Sequence, residues 1–376
     1  MIEALKRMFE TKRSATAPLI ALHGAGRPVW TPRNYGALAA EGFSGNAIGY
    51  RAVRMIAEAV AAIPWLAYAG KAEASEHPAL DLLARPNPGQ PGREFTETVV
   101  GFRLIAGNAY VEKVDVGGVP RELHALRPDR MKAIASPDGW PEAYEYSVNG
   151  QSARLPRPRV LHLRLFNPLS DHYGFSPLEA ARRAIDTHNS AAAWNKAMLD
   201  NSARPSGALV YGARDGQLSA EQFERLKGEL AQSYQGAANA GRPMVLEGGL
   251  DWKEMGYSPK EMEFIEAKNA AAREIALAFG VPPMLLGIQG DNTYANYAEA
   301  NRAFFRQAVV PMASRLAEAL TGFLAPHFAD LRLAHDLDQV EALAADRDAL
   351  WMRVGAADFL SAEEKRAAVG YGPSAR

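Results

Sequence analysis

The sequence of this 376-residue chain contains two long helical patterns separated by a short segment of mixed character. This arrangement restricts the possible folds more than any other feature of the sequence. The first pattern, Pro177–Leu199, follows Ser176 as N-cap and has proline at its first position, where the missing N–H costs nothing. The second, Pro259–Phe279, ends at Gly280 and cannot continue through Pro282 and Pro283. The sequence therefore predicts a long helix, a small insert and a second long helix.

The segment between the two helices, Asn201–Gly256, has the pattern of a small α/β unit. Ser219 and Gln222 form a capping box ahead of a helix predicted over Ala220–Tyr234. Three strands are predicted around it, near Ala208–Tyr211, Pro243–Leu246 and Leu250–Lys253. In the returning helix, spacings of three and four residues give a narrow seam for packing against a neighbour: Met262, Ile265, Asn269, Ala272, Ala276 and Phe279.

The residues before the first long helix mix helices with short antiparallel strands. After an amphipathic helix over Met1–Arg13, Ser14–Ser44 predicts an extended arm. Asn46 caps a helix that ends before Pro64. The predicted elements that follow are a helix over Glu94–Ile105 and strands over Ala109–Val114, Val119–Leu126, Ala143–Val148 and Val160–Leu165.

The residues after the second long helix predict a polar loop, Gly287–Asn296, and then a third long helix, Tyr297–Leu324, bent at Pro311. Two short helices, Arg347–Val354 and Ser361–Val369, are predicted near the end.

Composition and motifs argue against most catalytic classes. There is no cysteine, so thiol chemistry, iron–sulfur clusters and cysteine-bound zinc are excluded. No Walker loop, Gly-x-Ser-x-Gly elbow or helical pair of histidines at metal-binding spacing occurs. We therefore predict no catalytic residue, metal or cofactor, and we do not expect a membrane span.

Charge is balanced, with 42 Lys+Arg against 43 Asp+Glu, which argues against a protein that coats DNA through its phosphates. One local run of the sequence is basic, and it consists of Arg154, Arg157, Arg159 and Arg164. These arginines could contact phosphates or an acidic partner, or they could be charged residues at a strand edge that discourage aggregation.

Several segments, in order and spacing, resemble the portal proteins of tailed bacteriophages, in the branch that shares the chainmail-type capsid lineage. The segments are residues 46–65, His77–Pro88, Gly107–Tyr110, Gly174–Leu178 and Phe279–Gly287. The chain is also similar to what a gene transfer agent, a domesticated phage-like particle, would carry.

The resemblance implies an α+β, portal-like fold. Its expected parts are an N-terminal arm (1–45), an α/β wing (46–176), a stem helix (177–200), a small α/β clip (201–257), a second stem helix (258–281), a tunnel loop (282–296), and a long helix with C-terminal wing or crown helices (297–376). Stem packing is expected at Met262, Ile265, Ala272 and Phe279, and the tunnel loop would present Gln289, Asp291, Asn292, Thr293 and Tyr294 to DNA.

The resemblance further implies a homo-oligomeric ring, usually dodecameric, at one capsid vertex of a virion or phage-like particle assembled in the bacterial cytoplasm. Double-stranded DNA would pass through it without sequence specificity during packaging and ejection. The expected partners are the major capsid protein, the terminase large subunit, which would supply ATP hydrolysis, and a head–tail adaptor. Two alternatives stay open: a non-ring adaptor or scaffold that binds an acidic partner through the basic run, and an enzyme such as a hydrolase or metal-dependent transferase.

Overall fold

Helices at the start of the described chain pack against the two long helices predicted above. The computed structural model describes residues 30–70, 72–137, 139–200, 207–211, 219, 221, 222, 224, 225, 228, 250–254, 264–288 and 294–371. The chain divides into two units, Met1–Trp30 and Thr31–Arg376, and all elements below lie in the second.

The first elements are helical. Helix α1 (Tyr35–Ala37) continues as a π-helical segment, Leu38–Ser44. The prediction of an extended arm is therefore wrong for these residues. Asn34 caps α1 through its side chain, and Leu38 is buried, so tertiary packing stabilises a stretch whose small residues show little periodicity. Helix α2 (Ala47–Ala62) begins after its N-cap, Asn46, as predicted.

Residues 65–164 combine helices with strands of three-stranded antiparallel sheets. The helices are α3 (Pro78–Ala84) and α4 (Gly92–Ala106). The strands are β1 (Trp65–Ala69), β2 (Ala72–Glu73), β3 (Asn108–Val116), β4 (Val119–Leu126), β5 (Met131–Ala135), β6 (Pro141–Val148), β7 (Gln151–Pro156) and β8 (Val160–Arg164). They form sheets with strand orders β4-β3-β8 and β5-β6-β7, while β1 lies between β2 and the late strand β11 (Leu331–His335).

The first long helix consists of two parts, α5 (Pro177–Ala180) and α6 (Arg182–Asp200), separated at Ala181. The second is α7 (Phe264–Phe279), and its predicted beginning lies outside the described residues. Between them, β9 (Gly207–Tyr211) pairs with β10 (Leu250–Glu254), and the Ser219–Gln222 capping box forms. The predicted strand Pro243–Leu246 lies outside the described residues.

The third long helix begins at Tyr294, three residues before its predicted start. It runs as α8 (Tyr294–Phe304), a π-helical segment (Phe305–Val309) and α9 (Val310–Leu324). The interruption lies next to Pro311, as predicted, because a proline ring clashes with the carbonyl four residues earlier and has no N–H to donate. Helices α10 (Ala344–Gly355) and α11 (Ala362–Ala368) follow β11.

One large hydrophobic core joins these parts. It contains Val53 of α2, Val99 of α4, Ile275 of α7 and Leu320 of α9. A smaller core, which includes Tyr110, Met131 and Tyr144, lies between the β3 and β6 sheets. Searched helix by helix, the described part of the chain contains no segment with the length and apolar character of a membrane span.

Candidate functional site

The two long helices pack together through small side chains. On α6 the buried positions Ala184, Ile185 and Ala191 fall in the first half of the helix, whereas on α7 they fall in the second half. Since α6 leaves the core with its first half and α7 returns with its second, the two helices run in opposite directions. The buried face of α7 is rich in alanine, which allows two helices to approach closely: Ala271, Ala272, Ile275, Ala276 and Phe279.

A buried asparagine ties the base of this helix pair to α2. The Oδ1 atom of Asn46 accepts from the N–H of Gly49 at 2.9 Å, and its Nδ2 donates to Oδ1 of Asn189 on α6 at 2.8 Å. Nδ2 of Asn189 in turn donates to the carbonyl of Glu41 at 3.0 Å. One side chain thus caps α2 and is hydrogen-bonded to α6 at the same time.

Gly107, Asn108 and Gly174 bring two of the sequence motifs into direct contact. Gly107 ends α4 with φ +73°, and its carbonyl accepts from the N–H of Leu165 at 2.8 Å. Oδ1 of Asn108 accepts from the N–H of Gly174 at 2.7 Å. Ser176 caps α5 and donates its hydroxyl to the carbonyl of Leu104 at 2.9 Å. The residues that lead into α5 are therefore bonded to the start of β3.

His162 completes this junction from β8. Its ring stacks on Tyr110, with 4.1 Å between ring centroids, and its Nε2–H donates to Oδ1 of Asn108 at 3.0 Å. Burial, followed by the nearby charges of Arg164 and His172, lowers the pKa of His162 to about 3. His162 is therefore neutral in the folded chain at any pH near neutrality.

Acid is expected to weaken the fold through His162. Its folded pKa lies below its ordinary value of 6.5, so the unfolded chain binds more protons and stability falls as the pH drops from 6.5 toward 3. Between pH 7.5 and 5.0, wild type should lose about 2 kcal/mol more unfolding free energy than His162→Gln, whose amide keeps a donor but cannot titrate. Urea unfolding at both pH values measures this, and equal losses would contradict it.

The predicted stem-packing residues lie in different environments. Ala272 and Phe279 are buried, whereas Ile265 is 72% exposed. Met262 lies outside the described residues, as do Gln289, Asp291, Asn292 and Thr293 of the predicted tunnel loop. Tyr294 is the first residue of α8. Packing of the Ile265 side against another copy, and contact of the loop with DNA, stay predictions.

The basic run is partly neutralised within the chain. Arg154 forms an ion pair with Glu142, and Arg159 with Glu112 at 2.7 Å. Arg164 donates to the carbonyl of Asp171. Arg157 makes no ion pair within the described part of the chain. The described histidines and carboxylates contain no group of three that could hold a metal ion.

Comparison with known proteins places this architecture in a family. The family model described as "Phage portal protein" matches residues 47–370. The chain belongs to the phage portal protein family. Among relatives of this portal protein, one from Rickettsia bellii is 41% identical over 86% of each chain. The probable portal protein of Streptomyces phage phiC31 is 28% identical, over 93% of this chain and 82% of that one.

A solved structure agrees with the sequence matches. The chain is 54% identical to one in the structure titled "Neck of native GTA particle computed with C12 symmetry", where GTA denotes a gene transfer agent. The match has a TM-score of 0.70 and covers 93% of this portal protein and 97% of that chain. The predicted family and the α+β, portal-like fold class are confirmed. As a portal protein, the chain is a component of a virion or phage-like particle.

Sequence reasoning missed the tie from Asn46 to α6 and the contact between Gly107 and Gly174. Both glycines belong to motifs on which the family resemblance is based. The motifs therefore indicated that these residues are important, but they did not indicate that the two glycines are in contact.

Proposed function

We propose that this portal protein forms a closed ring of twelve copies at one capsid vertex, through which double-stranded DNA is packaged and ejected. The observation that supports this most strongly is the match, over 93% of the chain, to a protein in a particle neck computed with C12 symmetry. A ring needs two different, complementary faces on each copy, and closure depends on the angle between neighbours.

In this proposal the parts of the chain have separate roles. Residues 46–176 are the wing, helices α5–α6 and α7 are the stem, and residues 201–257 are the clip that docks the terminase large subunit and later the head–tail adaptor. Residues 282–296 are the tunnel loop that faces DNA. The support is the helix pair itself, since α6 and α7 hold the β9–β10 strand pair at the end away from their buried halves.

The charge of the chain suits a channel through which DNA slides. Strong capture of phosphates by lysine or arginine would hold the duplex in place, because each such contact releases counterions and adds affinity. The chain has a formal net charge of -1, and the proposed loop contains Gln289, Asp291, Asn292 and Thr293, which are polar without being basic. In this role the major capsid protein surrounds the ring, and ATP hydrolysis belongs to the terminase.

The adaptor alternative receives less support. It relied on a free basic run, but Arg154 and Arg159 already have carboxylate partners in their own chain. An exposed ion pair contributes little to stability, yet it does neutralise charge that an acidic partner would need.

Electron microscopy tests the ring directly. Class averages of the purified protein should show twelve-fold rings with a central hole wide enough for duplex DNA, and a labelled chain should appear at a single vertex of each particle. A major-capsid subunit with the same label serves as the control, since it should appear over the whole shell. A chain that is absent from the vertex and monomeric at high concentration would contradict the proposal and leave the adaptor ahead.

A further inference from the structure

A positively charged cleft lies between β8 and α9. It consists of two adjoining pockets of about 450 and 440 Å³ that share His162, Arg164 and Ala319. Arg103 and Arg315 line the first pocket, and Arg157 lines the second. No described aspartate or glutamate lines either one. In a chain with nearly equal numbers of acidic and basic residues, such a segregation of charge marks a site for an anionic group.

Arg103 is a buried arginine in the cleft with an unfilled hydrogen-bond donor. Its side chain is buried, and its Nε has no hydrogen-bond acceptor. Its other nitrogens donate to neutral atoms, the carbonyl of Arg164 at 3.1 Å and Sδ of Met312 at 3.4 Å. Burial, with the charge of Arg315 as a second cause, lowers the pKa of Arg103 to about 10. A buried guanidinium without a carboxylate is costly, and a carboxylate that enters the cleft would offset that cost.

The loop beside the same cleft exposes two large apolar side chains. Phe166 is 85% exposed, and Leu169, in the same loop, is 82% exposed. Two large side chains at this exposure favour an occupant that carries apolar groups as well as negative charge. The phosphate backbone of a DNA duplex offers no apolar groups, so a polypeptide segment fits better than DNA.

The C-terminal helices expose apolar side chains and carboxylates, although residues 344–371 also contain Arg347, Arg353, Lys365 and Arg366. Neither α10 nor α11 buries a single residue in its own chain. Met352 is 71% exposed and Phe359 is 86% exposed. Asp348 and Asp358 are exposed and form no ion pair within the described residues, and Asp348 lies one helical turn before Met352 on the same face.

We propose that the cleft of one copy binds residues 344–371 of the neighbouring copy in the ring. Asp348 and Asp358 supply carboxylates to Arg315 and Arg164, and Phe359 packs against Phe166 and Leu169. The contact joins two different faces, as a closed ring requires. This inference rests on the proposed ring and adds which surfaces meet within it.

Cross-linking tests the contact without interference, because the chain has no cysteine of its own. Leu169→Cys and Phe359→Cys are made in separate, differently tagged full-length chains, co-assembled, and treated with a short bis-maleimide. We expect a cross-linked product that carries both tags. Val116→Cys, at a β3 position that is 63% exposed, replaces Leu169→Cys in the control. If closed rings form but the Leu169–Phe359 pair cross-links no better than the control, the inference is overturned and the proposed function is unaffected. If the wild-type chain forms no ring, the proposed function itself is contradicted.

Charge exchange provides the second test. Arg315→Glu should lower the fraction of assembled rings at least tenfold, and Asp348→Arg in the same chain should restore most of it. An unaffected Arg315→Glu ring, or a loss that the exchange does not restore, would overturn the inference. So would an Arg315→Glu variant that keeps its rings but no longer binds a short labelled DNA duplex, because the cleft would then be a DNA site.

Discussion

Replacing Gly174 by alanine is expected to unfold the junction between β3 and the start of α5. A Cβ atom on Gly174 would lie 2.0 Å from the carbonyl oxygen of Gly107 and 2.7 Å from the backbone nitrogen of Leu165. Both are backbone atoms that already hydrogen-bond to each other, so neither can move aside without breaking that bond. Gly174→Ala should therefore cost about 3 kcal/mol or more of unfolding free energy, at or above the upper range for overpacking.

Urea unfolding of the soluble chain measures this loss, and the yield of soluble protein gives a second readout. Gly101→Ala is the matched control, because a Cβ there meets no atom within 4 Å. Since Gly101 lies inside α4, the control should gain about 0.5–1 kcal/mol from higher helix propensity. If Gly174→Ala unfolds at the same urea concentration as wild type, the Gly107–Gly174 contact does not hold the junction together.

A lysine in the proposed tunnel loop is expected to stop DNA from moving through an intact ring. In a ring of twelve, Asn292→Lys places twelve added charges around one duplex. Six to ten phosphate contacts already change DNA affinity by roughly 10³–10⁵-fold over a modest range of salt. We therefore expect rings of normal size but at least a tenfold fall in nuclease-protected DNA per particle.

Asn292→Gln is the control, since it keeps an uncharged amide and should package DNA normally. Raising the salt concentration during packaging in vitro should partly rescue the lysine variant, because screening weakens phosphate capture. Normal DNA content in Asn292→Lys particles would mean that this loop does not face the duplex.

Local signals in the sequence predicted where the helices begin and end. The caps at Asn46, Ser176 and Ser219 form as predicted, and Gly280 ends α7 with φ +66°. Each of these signals acts within a few residues along the chain, so a reader of the sequence can recognise it without knowing the fold. The interruption of the third long helix near Pro311 was predicted from a local signal of the same kind.

Contacts between distant residues could not be predicted in this way. Strand β1 pairs with β11, with Trp65 opposite His335, and neither strand was predicted because the partner lies far along the chain. The burial of Arg103 was also missed, since arginine is usually exposed and the surrounding elements come from distant segments. Within the candidate site, the motifs indicated which glycines matter, but only the fold shows that they touch.

The helix pair α6 and α7 also determines how mechanical force travels through the molecule. Residues 201–263 are joined covalently to the rest of the chain only through these two helices. A pull on residues 201–263 is therefore carried by α6 and α7 and reaches the Asn46–Asn189 and Asn108–Gly174 hydrogen bonds. These hydrogen bonds lie where the helix pair joins the core. We therefore expect them to break under tension before the helices unfold.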